Sequence, residues 1–90
     1  MKVHRVHNYM ENVVDDAIGK MLQKPGAGSF TEKDLADIRA LTLNSLPPRY
    51  IVTAKGEMYT KLSEMSIQFQ ADVTRALVQA VDTVKKHPRD

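Results

Sequence analysis

Cysteine is missing altogether from the 90 residues, which rules out a disulfide framework and any thiolate-held metal. Such a chain suits a reducing cytosol, and a cytoplasmic location is the expectation. No apolar run approaches the roughly 20 residues that would span a bilayer, and no signal-peptide pattern is visible, so no membrane partner is expected. A glycine-rich phosphate loop, a His-Glu-x-x-His helix and a Gly-x-Ser-x-Gly elbow are also missing, and a non-enzymatic protein is expected. Charge of one sign is lacking too. Thirteen basic residues face eleven acidic ones along the chain, for a formal charge of +2 and a pI near 9.0. Proteins that hold nucleic acid without sequence preference concentrate basic residues on one face, so DNA is an unlikely partner. Lys85, Lys86 and Arg89 form a small basic cluster, but positive charge at a helix C-terminus complements the helix dipole without any nucleic acid.

What remains is the pattern of a small globular protein. Apolar residues make up 42% and charged residues 27% of the chain, and the length allows one domain, 1–90. The spacing predicts a first helix over about 6–22, with Val6, Met10, Val13, Val14, Ala17, Ile18 and Met21 on one stripe. Asn8 and Glu11 have the spacing of a helix-start cap. The segment KPGAGS, 24–29, is a breaker with one proline and two glycines. A second helix follows, with Thr31 as N-cap, Asp34 as its capping-box partner and Phe30 and Leu35 at staple spacing. Leu35, Ile38, Leu41, Thr42 and Leu46 form its stripe. Pro47 and Pro48 must end it, because proline lacks an N–H and disfavours helical geometry in the residue before it.

The third helix is expected over about 57–85, with Met58, Leu62, Met65, Phe69, Val73, Ala76 or Leu77, Ala80 and Val84 as its stripe. Some thirty residues make a rod of roughly 45 Å, against a radius of gyration of about 12 Å for a compact chain of this length. The overhang would leave apolar surface uncovered, and a second copy is the simplest cover, so a homodimer is expected. The expected fold class is therefore all-α: three main helices, a Pro-Pro-containing extended connection and a long C-terminal helix, dimeric. The β-favouring run Tyr50, Ile51, Val52, Thr53 is read as extended loop, since a lone strand in a helical domain has no partner within the chain.

Candidate chemistry gathers at LNSLPPRYIVTAKG, 43–56. Arg49 offers a planar fork of donors that matches phosphate or a guanine edge. Tyr50 can stack on a base. Asn44 can donate and accept through its amide, and Thr53 and Lys55 add a hydroxyl and a point charge. The competing reading leaves Arg49 and Lys55 solvated, Tyr50 packed on the helices and Asn44 capping carbonyls. Elsewhere the signals are weaker. His4, His7 and Glu11 would share one face of a continuous helix in a metal-like spacing, but no fourth ligand is evident and no metal is expected. Asp15 and Asp16 point about 100° apart on a helix and are poorly placed as a catalytic pair. The five methionines fall mainly on the helix stripes, as core packing or as an adaptable protein-binding surface.

At these residues the chain resembles the family of the late competence development protein ComFB. DIRALTLNSLPPRYIVT, 37–53, is similar to that family's aspartate, helix ending Ala-Leu-x-Leu-Asn, two prolines and an aromatic; VHNYMENVVDDAI, 6–18, is similar to its opening helix. The resemblance implies a small, mostly helical, dimeric bacterial protein without catalytic activity, linked to genetic competence. It also implies a receptor for the second messengers cyclic di-GMP or cyclic di-AMP, regulating competence or motility through an unidentified downstream protein. Some members hold zinc with cysteines ahead of the second helix; the corresponding KPGAGSFTEKD has none, so that site is expected to be absent. Two phosphates and two purines call for cationic forks, stacking rings and base-edge donors. Arg49, Tyr50, Asn44, Thr53 and Lys55 supply those types, and Arg39, on the same helix as Asn44, is a further candidate. An adaptor in competence that binds no nucleotide is the alternative.

Overall fold

Three helices bury one stripe each, and a short two-stranded ribbon accompanies them. The computed structural model describes residues 6–52 and 67–86. In chain order these are β1 (Val6–Asn8), α1 (Met10–Gln23), α2 (Glu32–Asn44), β2 (Tyr50–Val52) and α3 (Ile67–Lys86). The expected start of the last helix, and the stripe positions Met58, Leu62 and Met65, lie outside the described residues. At about 1.5 Å per residue the twenty described residues of α3 span roughly 30 Å. No described helix is long and apolar enough to cross a membrane.

The core follows the helical stripes. Val14 and Ile18 of α1, Ile38 of α2 and Leu77, Ala80 and Val84 of α3 form one buried cluster, with Phe30, Leu35, Leu41 and Leu46 half-buried against it. Met10 is buried as well, in keeping with an unbranched side chain that fills irregular space. Ala76 and Ala80 on α3 are small enough to let α2 approach, and α2 against α3 is the most extensive helix contact. Thr42 is fully buried, and its hydroxyl donates to the Ile38 carbonyl at 2.7 Å. That bond removes the cost of carrying a bare hydroxyl into an apolar layer.

The ends of the helices obey local chemistry. Lys24 is extended (ψ 139°) because Pro25 follows it, and α1 stops at Gln23. Gly26 and Gly28 take φ of 78° and 90°, a region that costs other residues their Cβ clearance. At the start of α2 the Asp34 N–H donates to Thr31 Oγ1 and the Thr31 N–H donates to Asp34 Oδ2, both at 3.0 Å. This is the capping box that the sequence predicts.

Two expectations need correction. The first helix does not include Val6: it begins at Met10, and Val6–Asn8 is a strand. The second correction supplies the reason. Residues 50–52 are not a loop but β2, and β2 pairs antiparallel with β1, with Val6 opposite Val52, His7 opposite Ile51 and Asn8 opposite Tyr50. The partner strand comes from the same chain, so the fold is mostly helical as expected, with a small two-stranded sheet added. Val6 has the spacing of a helix stripe but is 66% exposed; ladder hydrogen bonds with β2 outweigh the small gain from one more helical turn.

Removing the Thr31 hydroxyl tests the cap. Thr31→Ala is expected to destabilise the protein by about 1 kcal/mol, read as a lower urea midpoint, whereas Thr31→Asp is expected to keep the wild-type midpoint.

Candidate functional site

Residues 45–49 leave α2 without regular structure, because Pro47 and Pro48 donate no backbone hydrogen bond and hold the chain extended. The stretch ends on Arg49, and both backbone groups of Arg49 are taken up by the start of α1. Its N–H donates to Asn8 Oδ1 at 2.8 Å, and its carbonyl accepts from the Tyr9 N–H at 2.6 Å. Asn8 Oδ1 also accepts from the Met10 N–H at 3.1 Å, one of the first-turn donors that a helix cannot satisfy internally. A single amide oxygen thus serves two backbone donors from distant parts of the chain.

The Arg49 side chain reaches α3. Its guanidinium carbon lies 5.3 Å from the centre of the Phe69 ring, within cation–π range. Arg49 is exposed, and no carboxylate among the described residues forms an ion pair with it. Beside it Tyr50 is 67% exposed. Both side chains thus reach solvent from a fixed backbone. Asn44, the last residue of α2, is exposed as well. Thr53 and Lys55 lie outside the described residues.

Arg39 has a different environment. Its Nε donates to Asp15 Oδ1 at 2.6 Å and its Nη2 donates to Glu11 Oε1 at 2.9 Å. The hydrogen bonds it donates, to Asp15 first and Glu11 second, raise its pKa above the ordinary arginine value. This cluster joins α1 to α2 and sets two carboxylates against one guanidinium. A phosphate arriving there would meet excess negative charge. Asp16 pairs instead with Lys20 at 3.1 Å, so the adjacent aspartates diverge as helix geometry requires. His7 sits in β1 while Glu11 sits in α1, so the metal-like spacing does not become one helix face, and His4 lies outside the described residues. No group of three metal-ligating side chains occurs among the described residues.

Elsewhere among the described residues lies an open groove of about 580 Å³ between α1 and α3. Ala17, Met21, Val73, Leu77 and Val78 supply its apolar lining, and Asp16, Lys20 and Lys24 border it. None of the candidate residues Arg39, Asn44, Arg49 and Tyr50 lines it, so the groove and the Arg49 corner are separate features. Phe69 belongs to both, since it also lines the groove. Sequence reasoning missed Asn8 and Phe69 as parts of the corner. Asn8 reads as a helix cap and Phe69 as one more stripe position; the contact of each with Arg49 spans a sequence separation that no local pattern encodes. The C-terminal lysines have local partners: Lys85 lies over the Phe30 ring at 5.6 Å and Lys86 pairs with Asp82 at 3.2 Å.

The family model described as late competence development protein ComFB matches residues 7–88. The solved structure of the late competence protein ComFB from Bacillus subtilis is similar with a TM-score of 0.75 at 22% identity, covering 96% of this chain and 97% of that one. A comparison with curated proteins found no match.

The two-carboxylate clamp on Arg39 is open to a simple test. Its side chains are 40–53% exposed, so solvent screens them, and Arg39→Met is expected to lower stability by no more than about 1 kcal/mol. The loss should shrink further in molar salt, as read by urea denaturation with and without sodium chloride.

Proposed function

The chain belongs to the ComFB family of late competence development proteins, and from that premise we propose that it is a non-enzymatic, cytoplasmic receptor for cyclic di-GMP or cyclic di-AMP. Loaded with the messenger, it changes its affinity for a downstream protein in competence or a related process. The observation that carries this reading is the Arg49 corner. An exposed guanidinium rests on an aromatic ring, its backbone is fixed by the neighbouring strand and helix, and an exposed tyrosine stands next to it. The ligand brings two phosphates and two purines. Arg49 takes a phosphate or a guanine edge through its fork, Tyr50 stacks on a purine, and Asn44 offers amide donors and acceptors to a base. Thr53 and Lys55 follow directly in the sequence and add a hydroxyl and a charge to the phosphates. Arg39, already bound to Asp15 and Glu11, is assigned to holding α1 against α2.

The groove between α1 and α3 supports a homodimer. It is apolar, Val78 on it is 61% exposed, and its border carries both signs of charge in Asp16, Lys20 and Lys24. A twofold contact places each residue opposite its counterpart's partner, so a border of mixed sign can satisfy itself. Light scattering at micromolar concentration is expected to give a species of twice the 10.1 kDa chain mass, and Val78→Glu is expected to halve it. A wild-type protein of single-chain mass would overturn the dimer.

Calorimetric titration with both messengers tests the receptor. Saturable heat is expected with at least one, abolished in Arg49→Ala, and weakened about tenfold or more in Tyr50→Ala, as loss of base stacking implies. Absence of binding at about 100 µM ligand, where even a weak site of roughly 8 kcal/mol would fill, would remove the receptor reading. A partner captured equally by wild type and Arg49→Ala, with either nucleotide present or absent, would favour the adaptor.

A further inference from the structure

We propose that Asn8 is the positioning residue of the Arg49 side chain: its amide oxygen sets the backbone from which the guanidinium reaches Phe69. Arg49 is the point where the connection from α2, the start of α1 and the face of α3 meet. Two prolines precede it, which narrows the approach of the chain. Asn8 Oδ1 holds its N–H at 2.8 Å and Tyr9 holds its carbonyl at 2.6 Å, so the peptide planes on both sides of Cα are anchored to consecutive residues. Only the side-chain torsions remain, and the Phe69 ring 5.3 Å away limits those.

The consequence lies in entropy. A free arginine side chain carries much rotamer entropy, and a fork held near its binding geometry loses less of it when a ligand arrives. Asn8 brings no group to the ligand in this scheme. Its oxygen fixes the start of α1 through Met10 and the end of the connection through Arg49 with the same lone pairs. The β1–β2 register places Asn8 opposite Tyr50, so the same residue also pairs with the backbone that carries the tyrosine. Replacing the amide by a methyl group leaves both N–H groups without this acceptor, while the Tyr9–Arg49 bond and the strand pairing remain.

The tests read position first and affinity second; only the affinity arm rests on the receptor function proposed above. In the wild-type protein the Arg49 amide is expected to be protected from hydrogen exchange, and its Cδ protons are expected to be shifted upfield by the Phe69 ring current. Asn8→Ala should return both to unstructured values, Phe69→Leu should remove the ring-current shift alone, and Asn8→Asp, which keeps the acceptor, should preserve both. An unprotected Arg49 amide in the wild type would overturn the positioning role without any variant having to fold. So would an Asn8→Ala protein with unchanged protection and ring-current shift. In titration, Asn8→Ala should bind the messenger roughly tenfold more weakly, the scale of one lost hydrogen bond. Wild-type protein that binds neither messenger removes the receptor reading, and the exchange and ring-current results then decide the positioning role. Equal affinity of wild type and Asn8→Ala overturns it.

Discussion

Two consecutive prolines constrain this small protein more than any other pair of residues. Pro47 and Pro48 stop α2 within a turn of its last core contacts, and the chain beyond them continues extended into β2. An extended run of Tyr50, Ile51 and Val52 exposes backbone donors and acceptors that need partners. The segment before α1 provides them, so Val6–Asn8 becomes a strand and α1 begins only at Met10. The same pairing brings the Asn8 amide beside Arg49. One local stop signal thus determines where the first helix begins and where an arginine far from it points.

The two arginines show how similar residues acquire different uses. Arg39 lies on α2 and is held by Asp15 and Glu11, both on the facing side of α1. Its charge is compensated, and its ion pairs join α1 and α2. Arg49 sits immediately before β2, with an aromatic ring beneath it and no carboxylate partner among the described residues. A guanidinium in that setting keeps its capacity for an anion or a planar base. In a chain with no enzyme motif, this difference in environment is the clearest chemical asymmetry on the surface.

The apolar groove adds a second surface of different character. It lies between α1 and α3 while α2 covers the other side of the same helices, so the core has three walls and one partly open side. Phe69 borders the groove and supports Arg49. The cationic corner and the apolar face therefore share one side chain of α3, which gives the fold a short physical connection between them.

The helices, the breaker at 24–29, the capping box at Thr31 and the core residues Val14, Ile18, Ile38, Val73, Leu77, Ala80 and Val84 were legible in the amino-acid order, because each depends on neighbours three or four positions away. So was the adjacency of a cation and an aromatic ring at Arg49 and Tyr50, which is a matter of residue type. Three things depended on tertiary structure. The strand identity of Val6–Asn8 required a partner more than forty residues away. The separation of Arg39 from Arg49 required knowing which carboxylates face α2. The parts played by Asn8 and Phe69 arise from contacts across the chain, where a cap and a core ring become the supports of an arginine. Periodicity reports which face of an element is apolar; it carries no information about which distant polar group a hydrogen bond will find.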